Sequence, residues 1–295
     1  MTQPGQFFTE YLDSIPKLKK QIHLADYMLV ERIAELVRKE GHFFALPEGG
    51  VLTDRKTKTF KPSGGEMFRP PYGYVVLEYT AIPGPTPAHE ALCPKRIVIA
   101  MDVGGHSVHL LPCLFNEKVQ QWIPHIYMSC IKYDKPDMVY HKNGEAFVRV
   151  ENTYCLPKAF ENLQREWEGD YDTFRQRLDT DMRDEVNAYL DFCYMLHNHE
   201  VTYDETEPDT AKNRFRRARG KAPLFTYKVL TIGKKKRKSQ LLGGTHASPR
   251  SHLRRGYFRT SQKGVRHWVQ PCMVKGETEG FVHKDYIVEG QIECT

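Results

Sequence analysis

Apolar residues recur at steps of three and four from about residue 16 to residue 40. Ile22, Ala25, Leu29, Ile33 and Leu36 form the stripe, and the positions between them are largely charged. Ser14 suits a helix cap, Pro16 a first turn and Gly41 a stop, so the spacing predicts one surface helix over 16–40. The period then changes. GYVVLEYTA (73–81), RIVIAMDV (96–103), VHLLPCLF (108–115), WIPHIYMSC (122–130) and AFVRVENTYCL (146–156) are short, β-branched and aromatic, and read as strands. PGP at 83–85, GGHS at 104–107 and KNG at 142–144 punctuate them, with GGHS predicting a hairpin. No helical stretch separates these strands, which argues for an antiparallel or mixed sheet rather than a doubly wound nucleotide fold. Residues 47–73, rich in Gly, Pro and charge, read as a long loop or β-arm ordered by a partner.

Helical spacing returns after residue 157. Phe174, Leu178, Met182, Val186, Leu190 and Cys193 fall on one stripe of a long helix, opposite an acidic face. A short basic helix or loop follows, then a strand, LFTYKVLTI (224–232). KKKRKSQLLGGTHASPR (234–250) has the composition of an exposed linker. Three short strands follow: HLRRGYFRT, RHWVQPCMV and DYIVEG. The class expected is α+β, in three parts: a helix plus β-rich region over 1–156, an acidic helical segment over 157–210, and a basic β-rich region over 211–295.

Charge sharpens this division. The 295 residues carry a formal net charge of +6, but it is unevenly placed. Residues 212–266 hold 18 Lys and Arg and no acid, leaving 25 basic against 37 acidic residues elsewhere. Residues 161–209 alone hold 15 acids against 4 arginines. Such asymmetry points either to a polyanionic partner or to pairing between the blocks, within one chain or between subunits. The seven cysteines are scattered without a CxxC pair, so reduced, mostly buried thiols are expected, with no metal and no cofactor. No apolar run is long enough to span a membrane, and the first residues lack a secretory pattern.

Few motifs carry chemistry. HNHE (197–200) could direct two imidazoles at a metal from a strand, but it ends a helix, where residues two apart diverge. MDVGGHSVH (101–109) sets Asp102 near His106 and His109, the makings of a hydrolytic or metal site, though a hairpin turn explains it without chemistry. GGEMFRPPYG (64–73) lacks the lysine ending and following helix of a phosphate loop. KKKRK (234–238) can bind phosphates or simply be solvated. The richest stretch is SPRSHLRRGYFRTSQKGVRHWVQPCMV (248–274), which contains no acid. Arg250, His252, Arg254, Arg255, Tyr257, Arg259, Lys263 and Trp268 are its candidate nucleic-acid- or partner-binding residues. In a strand Arg255, Tyr257 and Arg259 share one face, an arrangement that grips phosphate and stacks a base. Alternatively Phe258 and Trp268 form a small core roofed by arginines. With no carboxylate to act as base or ligand, the stretch is not read as catalytic, and the chain is expected not to be an enzyme.

This tail resembles one found in phage and mobile-element proteins. It runs NRFRRARGKAPLFTYKVLTI, then GGTHASPRSHLRRGYFR, then GVRHWVQPCMVKG and GFVHKDYIV. Relatives carry an Arg-x-His-x-Arg-Arg-Gly-His-Trp-Arg string followed by a Trp-Val strand. Arg250, His252, Arg254, Arg255, Gly256, Arg259, Trp268 and Val269 match, while Tyr257 and Phe258 replace the His-Trp pair and keep its aromatic character. Over about 212–290 the chain resembles a type V-A anti-CRISPR family that lowers the level of its target nuclease by acting on the message and nascent chain. The resemblance implies a phage origin and a counter-defence role in the host bacterial cytoplasm. In size and layout the chain is also similar to the phage inhibitor of the Gabija defence system, which assembles as an oligomer around its target. The leading expectation is an inhibitor that binds a bacterial defence complex, as a homo-oligomer, and blocks access to DNA. The alternative is a nucleic-acid-binding protein acting through residues 212–266.

Overall fold

The computed structural model describes residues 6–52, 65–82, 93–140, 146–167, 170–174, 176, 182–198 and 201–232, and four tail strands at 252–254, 257–260, 266–269 and 272–274. In place of one helix over 16–40 there are two, α1 (Phe7–Leu18) and α2 (Leu24–Glu40). Ser14 does not cap; its hydroxyl donates to the Tyr11 carbonyl at 2.7 Å. The cap of α2 is His23, whose Nδ1 accepts from the Ala25 N–H at 3.2 Å. The buried stripe of α2 is also displaced by one position from the expected one. Tyr27, Val30, Ala34 and Val37 are buried, whereas Leu24 and Leu29 are exposed. Both stripes have helical period, so tertiary packing decides between them. Asp26 takes part in that decision: its carboxylate accepts the Ala159 N–H at 2.8 Å and the Lys158 N–H at 3.4 Å, closing the N-terminus of α3 (Pro157–Glu166).

The strands β1 (Gly41–Ala45), β2 (Tyr74–Thr80), β3 (Lys95–Val103), β4 (Ser107–Asn116), β6 (Tyr127–Lys132) and β9 (Glu151–Tyr154) run side by side in that order. Beyond β1 lie β11 (Tyr227–Ile232) and then β10 (Val201–Thr206). β5 (Gln121–Pro124) pairs with the end of β4, so the run expected over 122–130 is two strands. β7 (Met138–Tyr140) and β8 (Ala146–Val148) form a separate ladder. β1 is parallel to both β2 and β11, and the other pairs are antiparallel. The sheet is therefore mixed and the class α+β. The β3–β4 hairpin forms where GGHS predicts it, with Gly104 (φ 63°) and Gly105 (φ 74°) supplying the left-handed turn.

Both faces of the sheet are covered. Val76, Ile97, Ile99, Leu111 and Cys113 pack against α1 and α2. Val75, Leu77, Val98, Ala100, Val108 and Leu110 pack against Ala188, Tyr189, Phe192 and Leu196 of α4 (Arg183–Asn198). The sheet thus draws strands from the β-rich, acidic and basic segments alike. Cys113, Cys130, Cys155 and Cys193 are buried free thiols, and Cys93 is half-buried and free.

Two partly buried imidazoles should make the fold acid-sensitive. Burial pushes the His42 and His125 pKa values down to about 4, and Lys228 Nζ, 3.2 Å from His42 Nδ1, adds to the effect at His42. Unfolded histidine titrates near ~6.5. Between about pH 6.5 and 4 the unfolded chain therefore binds more protons, and stability falls as pH is lowered through that window. Urea melts at pH 7 and pH 4.5 should record the loss, and H42Q/H125Q should show a smaller difference between the two.

Candidate functional surface

The described part of the basic block is organised around α5 (Thr210–Ala218). Asp209 caps it, its Oδ1 accepting the Ala211 N–H at 2.7 Å and the Lys212 N–H at 3.4 Å. Gly220, at φ 67°, turns the chain back after the last turn. Asn213 and Arg216 face inward. Asn213 closes a two-way bond with Leu224, donating from Nδ2 at 3.1 Å and accepting at Oδ1 at 2.7 Å. Arg216 donates to the Ala222 carbonyl at 2.6 Å and to Asp13 Oδ2 at 2.7 Å, fastening the helix to α1. No residue of α5 is buried. Lys212, Arg214, Arg217, Arg219 and Lys221 are exposed and form no ion pair among the described residues. Phe215 is 57% exposed, and the Arg219 guanidinium lies 3.9 Å from its ring centroid. A groove of about 420 Å³ is lined by Glu207, Pro208, Thr210, Asn213, Arg214, Arg217 and Thr226.

The acidic and basic blocks meet within the sheet. β10 of the first pairs antiparallel with β11 of the second, setting Glu205 opposite Lys228. Lys228 Nζ lies 3.7 Å from Glu205 Oε1 and over the rings of Phe44 and Tyr72. His42 stacks on Tyr72 at 3.6 Å. β12 (His252–Arg254) packs beside β10 and pairs with β15 (Cys272–Val274), which brings the tail to this edge.

Of the tail residues singled out by sequence, His252 and Arg254 lie on β12. Tyr257 and Arg259 lie on β13 (Tyr257–Thr260), and Trp268 lies on β14 (Arg266–Val269). The β13–β14 ladder sets Tyr257 opposite Val269, Phe258 opposite Trp268 and Arg259 opposite His267. Arg250, Arg255 and Lys263 lie outside the described residues, as do KKKRK and His199. Arg214, Phe215, Arg217 and Arg219 fall within the basic 212–266 region but are not among the individual candidate residues of the tail. The signal was present in DTAKNRFRRARGK, an Asp cap followed by cations on every side of one short helix.

Asp102, His106 and His109 do not form a common site. Asp102 follows Val98 and Ala100 to the α4 face, where it accepts from Tyr133 Oη at 2.6 Å and the Gly105 N–H at 3.2 Å and faces Arg69 Nε at 3.4 Å. His109 alternates to the opposite face, and His106 Nδ1 lies 3.1 Å from Asp134. A single residue of register separates the two faces. Among the described residues no group of three His, Cys, Asp or Glu could hold a metal ion, and no helix is long and apolar enough to cross a membrane.

These features define an α+β protein with a covered mixed sheet and, at one edge, a basic surface whose exposed cations form no ion pair among the described residues. Against known families, residues 63–276 match the AcrVA2-like model, the anti-CRISPR type V subtype A2 family. The match spans well over half of the chain, and the protein belongs to that family. No curated protein and no solved structure matches it, so the likeness to the Gabija inhibitor gains no support.

Proposed function

We propose that this chain is a phage counter-defence protein that inhibits a type V-A CRISPR nuclease in the bacterial cytoplasm by binding it directly, without catalytic chemistry of its own. Membership of the anti-CRISPR type V subtype A2 family carries the reading. Steric inhibition requires an interface above about 1,000 Å². Self-association multiplies contacts without new chemistry, and the opposed charges of residues 161–209 and 212–266 favour it. In this reading an oligomer closes the nuclease's path to DNA.

The test is co-expression with a tagged type V-A nuclease and, separately, with a tagged Gabija complex. Capture with and without added nucleic-acid-digesting enzyme is followed by native mass determination. The expected result is a digestion-resistant, stoichiometric complex with the type V-A nuclease that contains several copies of this chain. Capture by the Gabija complex alone would move the target. Loss of the nuclease from the cell with no complex formed would replace steric blockade with control of nuclease abundance.

A further inference from the structure

We propose that α5 is a binding site for single-stranded nucleic acid, with Arg214 and Arg217 on backbone phosphates and the Phe215–Arg219 pair as a platform for one base. This stands apart from the inhibitor reading. It rests on what the helix exposes and on what it lacks.

A solvated helical face ordinarily alternates signs, because acids and bases three or four apart stabilise one another. Here the whole of 212–266 contains no acid, and the exposed cations of α5 find no ionic partner among the described residues. Arg216 shows the contrast. Where α5 has to be fastened, the fold supplies Asp13 from the other end of the chain at 2.7 Å. That anchor and the Asn213–Leu224 pair hold the helix in place without using the outward side chains. Arg214 and Arg217 are one turn apart on the groove wall. Glu207, which also lines the groove, forms no ion pair with them.

The chemistry favours nucleic acid over an acidic protein. Protein interfaces centre on an apolar core depleted of charge, whereas α5 exposes one large apolar side chain, Phe215, among five exposed or flanking cations. Guanidinium forks match phosphate oxygens bidentately. A lone exposed aromatic beside them suits an unstacked base, because every base offers a π-face. Phe215 stays 57% open with a guanidinium against its ring, which braces it at little further loss of rotamer freedom. A duplex keeps its bases stacked and gives this ring nothing to meet.

The experiment measures fluorescence anisotropy of labelled 20-nucleotide dT and rU strands with the full-length protein across a salt series. Wild type should bind in the micromolar range of sequence-independent contacts, with affinity falling steeply as salt rises. R214Q/R217Q should weaken binding about tenfold and flatten the logarithmic salt slope by about 1.4, since each phosphate contact on a single strand contributes about 0.7. Phe215→Ala should weaken binding about fivefold and leave the slope unchanged, as stacking carries no counterion term. All three side chains are exposed, so circular dichroism and melting should match wild type. Absence of binding, or variants that bind like wild type, would overturn the proposal. So would polyglutamate competing as well as either strand, an outcome that would assign the surface to an acidic protein. The relative affinity for dT and rU identifies the preferred strand.

Discussion

Glu185→Ala should lower the free energy of unfolding by about 3–5 kcal/mol, the usual penalty for stranding one member of a buried ion pair. Glu185 sits in the first turn of α4 and is 1% exposed, and its Oε1 meets Arg96 Nη1 of β3 at 2.7 Å. Tyr79 stands beside Arg96 in the β2–β3 register. Among the described residues the cluster is incompletely satisfied: Arg96 Nε, Glu185 Oε2 and Tyr79 Oη are buried without hydrogen-bond partners. Burial drives the Glu185 carboxyl pKa upward against the pull of Arg96. A pair in that condition gains little beyond the cost of dehydrating it. Arg96→Met combined with Glu185→Leu should therefore be neutral, or stabilising by up to about 4 kcal/mol, although each single change is damaging. Urea denaturation of the four proteins in the cycle measures this. Single variants costing less than about 1 kcal/mol would show that the pair does not hold α4 to the sheet. The pair ties the first turn of α4 to β3, and α4 precedes β10 and α5 in the chain.

The strands over 73–116 were legible because they alternate or run apolar in short blocks, and the GGHS turn admits little else; WIPHIYMSC and AFVRVENTYCL were each expected as one strand, but they divide into β5 and β6 and into β8 and β9, the last two in different ladders. The mixed sheet followed from the absence of intervening helices. The start of the chain was not legible. Phe7, Phe8, Tyr11, Ile15 and Leu18 form a second helical stripe ahead of α2, and between two equally periodic stripes on α2 tertiary packing decides, with Asp26 at the α3 terminus contributing. Sequence showed that 212–266 is basic but not which part of it stands free. That depends on partners distant in sequence, Asp13 for Arg216 and Glu205 for Lys228. The separation of Asp102 from His109 is likewise a matter of strand parity, fixed once β3 and β4 pair.

Glu78 is a buried acid in an otherwise apolar strand, and its replacement is the second large effect expected. It is 1% exposed; Oε2 accepts the Phe7 N–H at 2.8 Å and Oε1 the Phe8 N–H at 3.0 Å. Gln6, at the cap position of α1, makes no side-chain cap bond. The carboxylate of β2 therefore satisfies two of the four unpaired N–H groups that begin any helix and places negative charge at the positive end of its dipole. Glu78→Ala strands two buried donors at about 1–3 kcal/mol each and should cost about 3–5 kcal/mol in all. Glu78→Gln keeps the shape but removes the charge and turns an NH₂ group toward one of the donors. It should cost about 2–3 kcal/mol. Hydrogen exchange is the informative readout, because α1 amides should lose protection before those of β3. The effect should also reach the basic surface, since Thr9 Oγ1 donates to the Pro223 carbonyl at 3.1 Å and Asp13 holds Arg216 and the Ala222 N–H. A frayed α1 releases those anchors, so Glu78→Gln should raise exchange in α5 as well. Unchanged protection in α5 while α1 opens would mean that the local Asn213–Leu224 and Arg216–Ala222 bonds fix the basic helix without α1.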